Sequence, residues 1–160
     1  MFEGLKKLLN AQTTQPENEP LLPDLVTFKV SGTHYHLDDV NKLATKIQKY
    51  GMKPEKLISM GYAERRVYRY FYKNEPVQLI PEPTNQHDPN AVKVLINDIL
   101  VGYVPKEDCE AVKVFLQYPL RITAEISGGD YKIVYSDASE QMFSEPLTIR
   151  VRAKRLREGK

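Results

Sequence analysis

A chain of 160 residues with 41% apolar and 28% charged side chains can form one packed domain with appendages, and its net charge of +2 marks neither a strongly basic nor a strongly acidic protein. The single cysteine, Cys109, excludes an internal disulfide and a four-cysteine metal site; it is expected of a reducing, cytoplasmic compartment. The first ten residues, MFEGLKKLLN, lack the apolar run of a signal peptide or membrane span, so no membrane partner is expected.

Charge is unevenly placed. Residues 1–24 carry four acids against Lys6 and Lys7, whereas the last eleven residues carry six cations against Glu158. Phe2, Leu5, Leu8 and Leu9 fit a short amphipathic turn or a frayed end, and the polar, proline-punctuated run Asn10–Asp24 reads as a linker. An arm over 1–24 is therefore expected, followed by a folded domain over 25–157.

LVTFKVSG reads as a first strand ending at Gly32. DDVNKLATKIQKYG predicts a helix over 38–51, because Val40, Leu43, Ala44 and Ile47 share one face, with Asp38 as cap and Gly51 as stop. Lys42, Lys46 and Lys49 then form a second stripe, either solvated or facing phosphate. KPEKLISMG predicts a second short helix from Pro54, giving a helical insertion over about 38–61. RRVYRYFY alternates as a strand, with Tyr68, Tyr70 and Tyr72 on one face, filling a barrel side or stacking bases. EPVQLIPEP, AVKVLI and ILVGYV are further strands, with Val92, Val94 and Ile96 directed to a core and Asn97-Asp98 as a tight turn. PKEDCEAVKVFLQ is a helix that buries Cys109, Val112 and Leu116. Three more strands are LRITAEIS, YKIVYS after Gly128-Gly129, and LTIRVRAKR; in the last, Arg150, Arg152 and Lys154 share a face, as a solvated end or as a secondary phosphate patch. Strands do not alternate regularly with helices, so the fold class is mainly β (α+β), a small antiparallel barrel or curled sheet with inserted helices.

The densest polar stretch is EPTNQHDPNAVKV, Glu82 to Val94. Asn85, Asp88 and Asn90 are turn formers, and Pro83 and Pro89 preset the backbone, so the residues alone are compatible with a loop that only turns. The calcium-loop pattern is absent, and His87 and Asp88, as neighbours on an extended chain, point apart and do not pair as acid and base. No P-loop, GxSxG elbow or HExxH occurs, so no metal, no cofactor and no enzymatic activity are expected.

EPTNQHDPNAVKV followed by ILVGYVPK resembles the pattern of the HIRAN domain: Asn85, His87-Asp88-x-Asn90, Ala91-Val92-x-Val94, Val101-Gly102-Tyr103 and Lys106. The match is specific from Ile80 to about Ala111 and looser at FKVSGTHY. The resemblance implies an OB-like β-barrel, here in a stand-alone member, that binds single-stranded DNA at its 3′ end and serves with helicase or nuclease partners, as in DNA repair. It also implies a binding set of His34, Tyr35, His87, Asp88, Tyr103 and Lys106. Tyr35, His87 and Tyr103 would offer faces for bases, Lys106 and His34 would meet phosphate, and Asp88 would accept a hydrogen bond from a free 3′-hydroxyl. A second reading is a protein-interaction adaptor that docks a repair or replication partner through a sheet edge or the insertion.

Overall fold

The structure, a computed structural model, describes residues 23–157. All but two residues of the arm expected over 1–24 lie outside the described residues. In chain order the elements are β1 (Leu25–Lys29), α1 (Leu37–Val40), β2 (Ala44–Lys46), α2 (Pro54–Ser59), β3 (Arg66–Tyr68), β4 (Tyr70–Tyr72), β5 (Val77–Pro81), β6 (Val92–Ile96), β7 (Ile99–Tyr103), α3 (Cys109–Phe115), β8 (Leu120–Val134) and β9 (Glu140–Arg155). The fold is mainly β and antiparallel, as expected. The strands form three sheets that do not close into one continuous barrel: β1-β9-β8-β3, β2-β4 and β5-β6-β7.

Alternation fixes the inward faces of the two larger sheets. Val92, Val94 and Ile96 of β6 are fully buried, and β9 buries Ile149, Val151 and Ala153 while exposing Arg150, Arg152 and Lys154. All of these inward residues except Ala153 meet Phe28, Val30, Val40, Leu43, Val101, Val104, Cys109 and Val112 in the main core. Each fully buried Val or Ile there contributes roughly 1.5–3 kcal/mol. Asn97 and Asp98 adopt φ of 51° and 66°, the pair of left-handed residues that a two-residue hairpin turn requires.

Two sheets meet at one backbone contact. The Ser31 N–H donates to the Tyr103 carbonyl at 2.7 Å, and the Tyr103 N–H donates to the Ser31 carbonyl at 2.9 Å. Gly102, at φ 149°, makes this approach possible. A Cβ on it would lie 2.5 Å from the Ser31 carbonyl oxygen and 2.6 Å from a Val30 methyl. Val101-Gly102-Tyr103 therefore has a structural reason for its glycine.

The helix expected over 38–51 does not form. Four residues of α1 and a 3₁₀ turn over Asn41–Leu43 bury Val40 and Leu43, as the period demands. The chain then extends, and Ala44–Lys46 pairs with Tyr72–Tyr70. Continued helix would leave the β4 backbone without that partner strand. The lysine stripe dissolves accordingly, and Lys42 bonds Asp39 at 3.0 Å. Asp38 makes no cap; His36 holds the N-cap position without a side-chain bond. The helix predicted from Pro54 is present as α2, and it buries Leu57 completely.

Two other strand expectations change. RRVYRYFY splits at Arg69, whose N–H donates to the Asp130 carbonyl and whose carbonyl accepts from the Ile47 N–H, each at 2.9 Å. One residue thus passes the chain from the β8 side to the β2 side, and Tyr68, Tyr70 and Tyr72, all half-buried, fall on two different strands. Gly128-Gly129 does not end a strand: it forms a bulge inside β8, where Gly128, at φ 90°, lets the Pro146 carbonyl pack closely. The resulting β8–β9 hairpin extends beyond the main core to a second small core of Leu57, Val67 and Val134. There the buried Lys132 ammonium donates to the Met52 carbonyl at 2.9 Å and to Glu140 Oε2 at 3.2 Å, tying the insertion to the hairpin.

Gly102→Ala is expected to destabilise the protein by about 2–4 kcal/mol, because left-handed strain adds to an unavoidable clash with backbone. Urea unfolding checks this, and an unchanged midpoint would refute the packing role given to Gly102.

Candidate nucleic-acid interface

The site is built from three segments that the sheets bring to one end of the molecule. The first is the 3₁₀ turn Thr33–Tyr35, which follows Gly32 and the Ser31–Tyr103 bridge. Tyr35 is 81% exposed, and its ring lies against His34 with centroids 3.9 Å apart. Such exposure leaves the ring face open to a flat partner. His36, not singled out by the sequence, places its ring centroid 6.4 Å from that of Tyr103.

The second segment is the polar loop between β5 and β6. Its base is closed by the Glu82 N–H donating to the Ala91 carbonyl at 2.8 Å. Inside, Asn85 Oδ1 accepts from the N–H groups of His87 at 2.8 Å and Asp88 at 3.0 Å. Asp88 Oδ1 in turn accepts from the Asn90 N–H at 2.9 Å. These are the side-chain turns that the composition predicts. They employ only one oxygen of Asp88; Oδ2 has no hydrogen-bond partner among the described residues. His87 is exposed.

The third segment runs from the end of β7 into α3. Tyr103 is half-buried, and its hydroxyl donates to Glu82 Oε1 at 3.0 Å. Asn85 Nδ2 donates to the same oxygen at 3.0 Å, and Lys93 Nζ lies 3.7 Å from Glu82 Oε2. Glu82 is thus a hub that ties the polar loop to Tyr103. The Asn85 hydrogen bond leads the interactions that hold the Glu82 carboxyl below its usual range, with Tyr103 and Lys93 adding to it. Burial, and then the neighbouring carboxylate, push the Tyr103 phenol up.

Asp88 and Lys106 line one pocket of about 430 Å³, together with Asn90, Glu107, Cys109, Glu110 and Lys113. Lys106 is exposed and forms no ion pair among the described residues, whereas Lys113 donates to Asn90 Oδ1 at 2.9 Å. Cys109 forms part of the wall; its thiol donates to the carbonyls of Val104 and Pro105, and burial pushes its pKa up. Among the residues expected to bind, the structure therefore gathers Asp88 and Lys106 in one pocket. Tyr103 is joined to their loop through Glu82, and His34 and Tyr35 are joined to Tyr103 through the Ser31 bridge. His34, Tyr35, His87 and Tyr103 do not line the pocket itself. Arg150, Arg152 and Lys154 lie on the outer face of the four-stranded sheet. Sequence reading misses Glu82, His36 and Lys113, because each is defined by a partner distant in sequence: Tyr103 for the first two and Asn90 for Lys113.

A small antiparallel β domain with a polar loop held against a helix-walled pocket is the class these features define. The HIRAN domain family model matches residues 25–125, and the chain belongs to that family, which is associated with DNA binding. No curated protein and no solved structure matches the chain. No helix among the described residues is long and apolar enough to cross a membrane.

Because Glu82 titrates below its usual range when folded, its contribution to stability is complete above the ordinary carboxylate range and is lost as pH falls through the folded value. Glu82→Gln is expected to make the acid limb of a stability–pH profile shallower below the ordinary carboxylate range. Chemical denaturation across that window checks this, and a profile parallel to the native one would remove Glu82 from the hub.

Proposed function

We propose that this protein is a non-enzymatic DNA-binding module that takes the 3′-hydroxyl end of a single strand in the Asp88–Lys106 pocket. The observation that carries this reading is the carboxylate oxygen of Asp88 that has no partner among the described residues, in the same pocket as a lysine with no ion pair among them. A carboxylate accepts a strong hydrogen bond from a terminal hydroxyl. It repels a terminal phosphate, and Glu107 and Glu110 add two more acids to the pocket wall. Lys106 meets the last internucleotide phosphate from the pocket rim. Tyr35, backed by His34, supplies a stacking face for a splayed base, and His87 and Tyr103 border the path of the strand. Glu82 and Asn85 position the loop and do not touch DNA.

A second reading, an adaptor for a repair or replication protein, has one observation in its favour. Among the described residues, Glu125–Gly128 of β8 has no strand paired on the side away from β9. That edge lines a groove of about 640 Å³ with Tyr68, Tyr70, Phe71 and Tyr72, and Phe71 is 64% exposed. An extended peptide adds to such an edge.

Fluorescence anisotropy with short strands of one sequence separates these readings. The native chain is expected to prefer a 3′-hydroxyl over a 3′-phosphate by about tenfold or more, a difference of about 1.4 kcal/mol. Asp88→Asn keeps the loop acceptor for Asn90 and is expected to abolish that preference. Lys106→Ala is expected to weaken all single strands about tenfold and to reduce the salt slope by about 0.7. An Asp88→Asn protein that still discriminates the two ends would overturn the assignment, and absence of any strand binding would favour the adaptor.

A further inference from the structure

Three strands of the four-stranded sheet build a charged face that the pocket does not use. In register across β1, β9 and β8 lie Lys29, Arg150 and Glu125, then Thr27, Arg152 and Thr123, then Leu25, Lys154 and Arg121. Partners directly opposite in a pleated sheet point to the same side, and here that side faces solvent, with Leu25 alone half-buried. The face thus holds five cations against the single acid Glu125. Lys29 and Arg121 come from distant parts of the chain, so only the topology assembles the set.

Two observations point to a ligand for it. None of Lys29, Arg121, Arg150, Arg152 and Lys154 has an ion-pair partner among the described residues, although acids are paired elsewhere on the surface. Lys29 stands directly opposite Arg150, and Lys154 directly opposite Arg121, and like charges in that arrangement destabilise a sheet. Glu125, opposite Arg150, is the one acid in these rows and forms no ion pair among the described residues, so an external polyanion relieves the repulsion.

We propose that this face binds the phosphodiester backbone of double-stranded DNA, as a site separate from the pocket. Successive cations on β9 are roughly 7 Å apart, and neighbouring strands roughly 5 Å, so the patch spans about 13 Å by 10 Å. That is enough to face several successive phosphates of a duplex, whose strands advance about 3.4 Å per nucleotide. The face holds no aromatic side chain, so it offers nothing to unstacked bases and reads backbone alone. Within the paired rows the apolar side chain present is the half-buried Leu25, too little for a membrane-surface element to enter lipid. Thr27 and Thr123 flank Arg152 and add hydroxyl donors for phosphate oxygens. The proposal rests on the reading of this protein as a DNA binder, but on none of the residues that recognise a strand end.

The test uses the full chain and a blunt DNA hairpin whose duplex is long enough to exclude a free single-stranded end. The triple variant Arg150→Gln, Arg152→Gln, Lys154→Gln is expected to lose at least tenfold in hairpin affinity. The slope of log affinity against log salt should become shallower by about 2–3, at about 0.9 for each phosphate no longer neutralised. Its thermal midpoint should equal or exceed the native one, and its preference for a 3′-hydroxyl over a 3′-phosphate on short single strands should be unchanged. Glu125→Gln removes the one acid and should tighten hairpin binding severalfold, a gain that misfolding cannot produce. An unchanged salt slope in the triple variant overturns the proposal. So does a native chain that fails to bind the hairpin while binding phosphatidylserine vesicles through these residues. Loss of the 3′-end preference with hairpin binding intact would instead sink the pocket assignment and leave the face standing.

Discussion

The paired hydrogen bonds between Ser31 and Tyr103 hold the rest of the structure in place. They are the seam between a sheet that begins the domain and a sheet formed some seventy residues later. Backbone meets backbone there, with no side chain between, because position 102 has no Cβ. The aromatic turn takes its position relative to the polar loop from that seam. The His34–Tyr35 turn starts one residue beyond Gly32, and the Tyr103 side chain reaches Glu82 and through it the polar loop. A chain that failed to close this contact would still contain all its strands, but its aromatic, acidic and basic groups would not share one end of the molecule.

The polar loop illustrates how structure and recognition divide one residue between them. Asp88 holds the turn with one oxygen, and the other is unengaged among the described residues. The bland reading of that stretch, a turn former in a turn, is therefore correct and incomplete. Glu82 shows the converse. It has the look of a ligand-binding acid, yet its oxygens are occupied by Tyr103, Asn85 and Lys93, so its role is to hold others still. Both roles are assigned by counting engaged lone pairs rather than by residue type.

Much of the fold is legible in the sequence because burial imposes its own period. Val92, Val94 and Ile96, the Asn97-Asp98 turn and the Cys109 helix are read directly from alternation and turn chemistry. The pattern over 38–51 misleads for a physical reason: Val40 and Leu43 are buried, as a helix would bury them, but Ala44 and Ile47 satisfy a strand partner that local sequence does not reveal. Gly128-Gly129 is similarly ambiguous, since two glycines suit a turn and a bulge equally, and only the crossing Pro146 carbonyl decides. In the site, the motif residues His87, Asp88, Tyr103 and Lys106 are visible in the sequence, whereas Glu82, His36 and Lys113 depend on contacts made by folding. The basic face is half visible: the β9 triad follows from alternation, but Lys29 and Arg121 join it only through strand order.

The β8–β9 hairpin carries two cores of very different size, and the Gly128 bulge lies along β8 between them. The main core engages most of the buried chain, while the outer one rests on Leu57, Val67 and Val134 with a few half-buried neighbours. Free energy of opening follows buried apolar contact, so the two ends of one ladder do not share a common stability. The outer end is expected to open first, without disturbing the seam or the polar loop. Its amides should therefore exchange with solvent faster than those of β6 and β7, so that one continuous hairpin behaves as two units in time.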